Sequence, residues 1–382
     1  MHRGATAEVD LDAISHNLKV IRKITHSRPV IAVVKADAYG HGAVEVSKVL
    51  AARGVSHLAV AYTGEAVKLR EAGITSRILV LFDRHGISDF FDYDLTPVIH
   101  DIATALSLSE EAKARGHHLD VHVKVDTGMG RLGINSREVL RAVMAIAKTG
   151  YVNVTGLMSH FSEADIADTS YAEDQLKAFM AIKEEISGDH NKGLLCHIAN
   201  SAATLSFGKA HLDAVRPGLM LYGYSPFADP GNERSELRGE NPVADLKPSM
   251  KVKTRILCLR RLQKGMPVSY GRTFITRRES LIAVLPVGYA DGYSRALSNR
   301  ADVIIRGKRV PVVGRVCMDL TMVDVTEVPG IEEEDEVVLI GRQGDEEITF
   351  HEIAAKAGTI SYEIMTMIGS RSQRVYRSGT RD

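Results

Sequence analysis

Through the first ~225 residues, short β-branched runs alternate with amphipathic stretches. Leu11, Ile14, Leu18 and Ile21 recur at helical spacing, with Asp10 placed as an N-cap. Val30–Val34 is apolar without a break. A strand has that pattern when both its faces are buried, as in a parallel sheet. Similar runs follow at His57–Ala61, Arg77–Phe82, Leu95–Ile99, Leu119–Val125, Val152–Met158, Leu195–Ile198 and Leu212–Val215. Helix-like segments, among them Gly64–Ala72, Ser136–Lys148 and Tyr171–Ile186, separate most of them. Eight such strand–helix units closing on themselves predict an α/β fold of the (β/α)8 TIM-type barrel kind. An open doubly wound sheet is the alternative, and no GxGxxG follows the first strand to support it.

The texture changes after Tyr224. Residues 226–248 are rich in Pro, Gly, Asn and charge and predict a surface linker. Short strand-like runs follow at Val252–Leu259, Leu281–Val287, Asp302–Ile305, Arg309–Val313, Thr321–Val325 and Glu336–Ile340. Their spacing predicts a compact, mostly-β C-terminal domain. A helix is expected over 350–368 and a last strand near 373–376. The division is therefore a barrel over residues 1–236 and a mostly-β domain over 237–382.

Lys+Arg and Asp+Glu each number 48, so the net charge is zero. That removes the basic footprint of a nucleic-acid binder and any strong steering field. No apolar run approaches the ~20 residues of a membrane span, and the opening MHRGATAEVDLDAISHNL lacks the apolar core of a secretory signal. Cys196, Cys258 and Cys317 lie far apart and form neither a CxxC pattern nor a disulfide framework. A reduced, cytoplasmic location is expected, with no metal site and no membrane or nucleic-acid partner.

Several polar groups fall at strand ends, where a barrel builds its active site. Lys35, in VVKADAYGHG, ends the first strand. Desolvation would make such an amine a nucleophile; from Lys35 alone, a rim lysine in a salt bridge is the simpler reading. Tyr39 follows at once. HVKVDTGMGRLG sets Asp120, His122, Lys124 and Asp126 on one face and ends in a glycine-rich turn that presents Arg131. His118 and His122 without a spaced third ligand read as structural groups. His160 closes another strand, and alone it too reads as structural. Asn200-Ser201 sits where a strand gives way to a helix, a place suited to a phosphate or simply to a Ser N-cap. Arg216 ends the last strand, with Gly218 permitting close backbone approach. Tyr270, Tyr289, Met318-Asp319 and Tyr362 belong to the second domain. What singles out Lys35, Arg131, His160, Ser201 and Arg216 is that all fall at predicted strand ends and are expected in one pocket.

In order, VVKADAYGHG, VKVDTGMGRLG, MSHF, ANSAA, RPGLMLYG, VSYGRTF, VGYADGY, GRVCMD and SYEI closely resemble the motifs of alanine racemase, a pyridoxal 5′-phosphate (PLP) enzyme, over residues 33–364. The resemblance implies a homodimer in which the partner's second domain completes each site. It implies Lys35 as the Schiff-base lysine and one catalytic base, and Tyr270 of the other subunit as the opposing base. It further implies Tyr39, Ser201, Gly218 and Tyr362 as a phosphate cradle, with Asn200 and His160 among the cofactor contacts. Arg216 would face the pyridine nitrogen. Arg131 and the Met318 backbone N–H would bind the substrate carboxylate. Lys124 stands where some members carry a carbamylated lysine. The implied role is D-alanine supply for peptidoglycan.

Such chemistry suits these residues. Inverting Cα requires removing a proton from one face and returning one to the other, which two opposed bases do without motion. Free Lys and Tyr titrate near 10.4 and 10, so both need tuning by burial and neighbours. An arginine at the pyridine nitrogen, unlike an aspartate, would leave that nitrogen unprotonated and disfavour transamination. Tyr270, Tyr362 and Tyr289 would narrow the pocket to a methyl side chain. Three rivals share parts of the pattern. A barrel amino-acid decarboxylase would use an acidic partner where Arg216 stands. A PLP carrier would lack the second domain. A broad-specificity racemase is commonly exported, and no signal is expected here.

Overall fold

The computed structural model describes residues 4–186, 193–228, 245–369 and 371–379. Parallel strands lie side by side in chain order: Ile31–Val33, His57–Val60, Arg77–Val80, Thr96–Ile99, Leu119–Asp126, Val152–Met158 and Leu195–His197. Both faces of Ile31–Val33 are buried, as its unbroken apolar run requires. The expected eighth strand, Leu212–Val215, is reduced to one bridging residue: Val215 pairs in parallel with Val30. The regular ladder fails there for local reasons. Leu212 takes a left-handed φ of +46°, the Asp213 carboxylate accepts the Cys196 N–H at 2.9 Å in place of a backbone group, and Pro217 has no N–H to give. The ring still closes. Val215 N–H donates to Pro29 O at 3.0 Å, Ile31 N–H to Val215 O at 2.9 Å and Val33 N–H to Pro217 O at 3.0 Å. On the other edge, Arg216 N–H donates to Ala199 O at 2.9 Å.

The helix Leu11–Ile24 starts where its sequence says it should. Asp10 Oδ1 accepts the N–H groups of Asp12 and Ala13, both at 2.9 Å. Helices Thr63–Glu71, Val139–Lys148 and Ser170–Ile186 fall within a few residues of their expected spans.

The chain's start departs from the expected domain division. Strand Thr6–Asp10 joins the sheet of the second region, antiparallel to Met250–Arg255 and parallel to Gln373–Arg377. It buries Ala7 and Val9 there, and five residues are too few for alternation to reveal where they pair. The sheet runs Lys308–Pro311, Asp302–Ile305, Glu336–Gln343, Met250–Arg255, Thr6–Asp10, Gln373–Arg377. A second, antiparallel sheet contains Cys258–Leu262, Ser280–Leu285 and Thr321–Asp324. The strand expected over Val252–Leu259 is thus split: the chain changes sheets where Ile256 N–H donates to Asp335 O and Leu257 N–H to Val284 O. The helix expected over 350–368 is also split, into Phe350–Ala357 and Ser361–Met367, by Gly358 at φ +76°. Most of the expected linker 226–248, and the boundary at 236, lie outside the described residues; at its start Phe227 is packed and fully buried.

One hydrophobic core runs through both regions, from Ile14 and Val60 to Val252, Ile340 and Ile364. The helix Ser361–Met367 rides on it and reaches the barrel mouth. Among the described residues, no helix is long and apolar enough to cross a membrane.

Candidate active site

At the C-terminal ends of the barrel strands lies a cavity of about 500 Å³, the size class of a small-molecule site. Lys35, Tyr39, Arg131, His160, Asn200, Ser201, Arg216, Gly218 and Tyr362 all line it, together with Lys124 and Phe82. Tyr270 and Met318 are not among the lining residues.

Lys35 ends the first strand, and the chain then makes one turn of left-handed helix. Ala36, Asp37, Ala38 and Tyr39 have φ between +52° and +55°, which costs L-residues on the order of 1–2 kcal/mol each. The Glu65 carboxylate anchors the turn by accepting Ala36 N–H at 2.6 Å and Ala61 N–H at 2.7 Å. Asp37 accepts Ala43 N–H at 2.8 Å at the far side. The turn delivers Lys35 and Tyr39 to one cavity.

Positive charge is concentrated there. Lys35 Nζ, Lys124 Nζ and Arg131 Cζ lie 5.4, 5.8 and 5.9 Å from the centre of the Phe82 ring. Burial holds the Lys35 amine below its ordinary range, Arg131 adds to this, and Glu65 opposes it. Lys124, buried inside the barrel, is pushed down to about 8 by burial and then by Arg131, Arg216 and Lys35.

Arg216 is buried, and both of its terminal nitrogens are engaged. It donates through Nη1 to His197 Nδ1 at 2.5 Å and His197 O at 2.7 Å. Nη2 donates to Ser159 O at 2.6 Å, Ile198 O at 3.1 Å and His160 Nδ1 at 3.3 Å. Burial lowers Arg216 to about 9, which leaves it charged at neutral pH. Because guanidinium only donates, the accepting His197 Nδ1 is bare and its hydrogen sits on Nε2. That hydrogen points at His122 Nδ1, 2.9 Å away. Burial drives His122, His160 and His197 well below the ordinary histidine range, and Arg216 reinforces all three. Three neutral histidines thus surround one cation. His118 takes no part: it stacks on Tyr151.

The opposite wall is built of hydroxyls. Ser201 Oγ accepts Gly218 N–H at 3.0 Å and Met220 N–H at 3.4 Å, which leaves its own hydrogen to donate. Asn200, not Ser201, is the N-cap of helix Ser201–Ser206, accepting Ala203 N–H at 3.0 Å. A Cβ at Gly218 would lie 2.4 Å from Tyr39 Oη, so only glycine lets that phenol stand there. Burial raises the Tyr39 phenol far above its ordinary value and keeps it protonated. The Tyr39 and Tyr362 rings lie 6.0 Å apart.

Tyr270 is 71% exposed and Met318 53%. The loops that carry them touch: Ser269 Oγ and Cys317 Sγ lie 3.5 Å apart. Ser269 Oγ donates to Arg315 O at 2.6 Å, and Ala290 N–H donates to Met318 O at 3.1 Å. A Cβ at Gly288 would meet Met318 O at 2.3 Å, so the loops carrying Tyr289 and Met318 touch backbone to backbone. Phe82 and Glu65 were missed in the sequence. Phe82 closes the run Arg77–Phe82, a strand-end signal that an apolar residue does not advertise. Glu65 lies inside a predicted helix and gives no sign of its backbone contacts.

Residues 9–226 match the family model for the alanine racemase N-terminal domain, and residues 249–376 the model for the C-terminal domain. An alanine racemase of Thermodesulfovibrio yellowstonii is 49% identical, over 98% of each chain. The crystal structure of the alanine racemase from D-cycloserine-producing Streptomyces lavendulae superposes with a TM-score of 0.91 at 34% identity, over 100% of this chain and 98% of that one. That of the Bartonella henselae enzyme, described with covalently bound pyridoxal phosphate, gives 0.85 at 28%, over 98% and 99%. With both models matched in order and the barrel mouth carrying the expected lysine, arginines and hydroxyls, this chain belongs to the alanine racemase family.

Proposed function

We infer that this chain interconverts L-alanine and D-alanine with PLP by a two-base mechanism, and that it supplies D-alanine for peptidoglycan. The observation that carries this is the partly buried Lys35 amine, held below its ordinary range by burial, sharing a cation-rich cavity with Tyr39. The residues present fit the cofactor. The wall where the Tyr39 phenol closes on the Gly218 backbone suits a phosphate, with Tyr39, Ser201 and Tyr362 as donors and Asn200 shaping the helix start. Lys35 would hold the aldehyde carbon, Arg216 (supported by His160) the ring nitrogen and Arg131 the phenolic oxygen. When bound, PLP withdraws electrons from the substrate Cα and makes its proton removable.

The remaining work falls to side chains. Lys35 in its free-base form takes or returns the Cα proton on one face. Tyr270 does so on the other, supplied by a second copy of the chain; its exposure and its absence from the lining of its own chain's cavity support this, and with it a homodimer. Arg131 and the Met318 N–H hold the substrate carboxylate. Tyr362, with Tyr270 and Tyr289, limits side-chain size. A cytoplasmic location belongs to the same proposal, and the unpaired cysteines fit a reducing compartment.

Purified protein given PLP and L-alanine is expected to form D-alanine, and borohydride is expected to fix the cofactor on Lys35, read by peptide mass. Cofactor bound without D-alanine formation would shift the assignment to decarboxylation or carriage. Arg216→Glu offers the ring nitrogen a carboxylate instead of a fixed donor. Pyruvate formation relative to racemisation is then expected to rise at least ~10-fold, a shift of about 1.4 kcal/mol between two barriers. An unchanged ratio would remove Arg216 from the control of reaction course.

A further inference from the structure

The left-handed turn that carries Lys35 and Tyr39 is held from the far end of the chain. Consecutive non-glycine residues in this conformation persist only where their surroundings over-determine them. Arg374, on the strand Gln373–Arg377, supplies much of that constraint. Its Nε donates to Gly40 O at 2.9 Å and its Nη2 to Ile368 O at 3.1 Å. The same Nη2 pairs with the Asp37 carboxylate at 3.4 Å, and the side chain is 17% exposed. One guanidinium therefore ties the body and the end of the turn to the end of the helix that carries Tyr362. The backbone leaves no slack around it. A Cβ at Gly40 would sit 2.4 Å from Met365 O, and one at Gly42 1.8 Å from Tyr376 Oη. Arg374 itself does not line the cavity.

We propose that Arg374 is a positioning residue for the cofactor site: through the left-handed turn it holds Lys35 and Tyr39 in register with Tyr362. This rests on the reading of Lys35 and Tyr39 as cofactor ligands. The planar fork matters, because it serves two carbonyls and a carboxylate at fixed angles, which a lysine ammonium does not. Without the fork the turn relaxes toward conformations that alanine and aspartate prefer, and the amine and the phenol separate.

The test uses full-length wild type, Arg374→Met, and Arg374→Met combined with Ala38→Gly. Glycine takes positive φ without steric cost, so Ala38→Gly removes part of the strain that Arg374 opposes. PLP affinity is measured by titrating cofactor-free protein, and amide hydrogen exchange is followed in the same cofactor-free protein. Arg374→Met is expected to weaken PLP binding ~10-fold or more, the scale of losing hydrogen bonds from a charged donor. Exchange is expected to quicken over residues 36–42 and not in the strand Val152–Met158. Adding Ala38→Gly is expected to recover most of the affinity, which a merely structural arginine would not allow. Arg374→Lys should fall between wild type and Arg374→Met. Unchanged affinity and exchange, or quickened exchange throughout with no recovery by glycine, overturns the proposal. If Arg374→Met does not fold, Asp37→Asn drops the ion pair, keeps an acceptor for Ala43, and should show the same pattern at about threefold. Should the wild type take up no PLP, the functional reading fails, and the exchange pattern still decides the clamp.

Discussion

Lys35→Ala is expected to lower D-alanine formation at least ~10⁴-fold, to leave no borohydride-fixed cofactor, and to leave the fold intact. Removing a positioned general base alone accounts for about 10²–10⁴, and the proposed function also makes this lysine the point of covalent attachment. Stability should move the other way. The amine is held below its ordinary 10.5 by burial and by Arg131, so the folded chain binds that proton less tightly than the unfolded chain does. Keeping the charge therefore costs stability below the folded pKa, and the cost vanishes as pH rises past the unfolded value. Cofactor-free Lys35→Ala should accordingly unfold at a higher denaturant concentration than cofactor-free wild type at neutral pH, with the gap closing toward about pH 10.5. Turnover within tenfold of wild type would sink the catalytic assignment; a gap that widened with pH would sink the electrostatic one.

Tyr270→Phe removes one oxygen, and racemisation is expected to fall about 10²–10⁴-fold. The fall in kcat/KM must be the same in both directions, because the two enantiomers have equal free energy. What should survive is exchange of the Cα hydrogen with solvent in one enantiomer, through Lys35 alone, followed by deuterium uptake. Whether the tyrosine acts across subunits is open to a mixing experiment. Neither Lys35→Ala nor Tyr270→Phe turns over alone. In a hybrid dimer with shared sites, one site regains an intact lysine and an intact tyrosine. Random re-pairing should then restore about a quarter of the wild-type rate. No restoration would place both groups within one chain and would contradict their separation here.

Much of this was legible in the chain because local chemistry and tertiary structure agree. Val30–Val34 reads as a buried strand and is one, and Asp10 reads as a cap and is one. Lys35, His160, Ser201 and Arg216 were found because a charged or hydroxyl group ending an apolar run is conspicuous, and parallel strands bring all such ends to one mouth. Contacts set by distant partners were not legible. Nothing in Thr6–Asp10 says that it pairs across the length of the chain. Leu212–Val215 has strand composition, yet the Asp213 carboxylate takes the Cys196 N–H and Pro217 has no N–H to give. The left-handed turn contains no glycine before Gly40, so its sequence does not announce the other hand; Glu65 and Arg374, which contact it, are both remote in the chain.

The pairing of Thr6–Asp10 with Gln373–Arg377 also sets an order in time. A ribosome making about 5–20 residues per second produces these two strands roughly 20–70 s apart. The barrel's own strands can associate in that interval, but the first strand waits for its parallel neighbour, and the turn after Lys35 waits for Arg374. In the nascent chain Lys35 is therefore among the first groups made, and the arginine that braces its turn among the last.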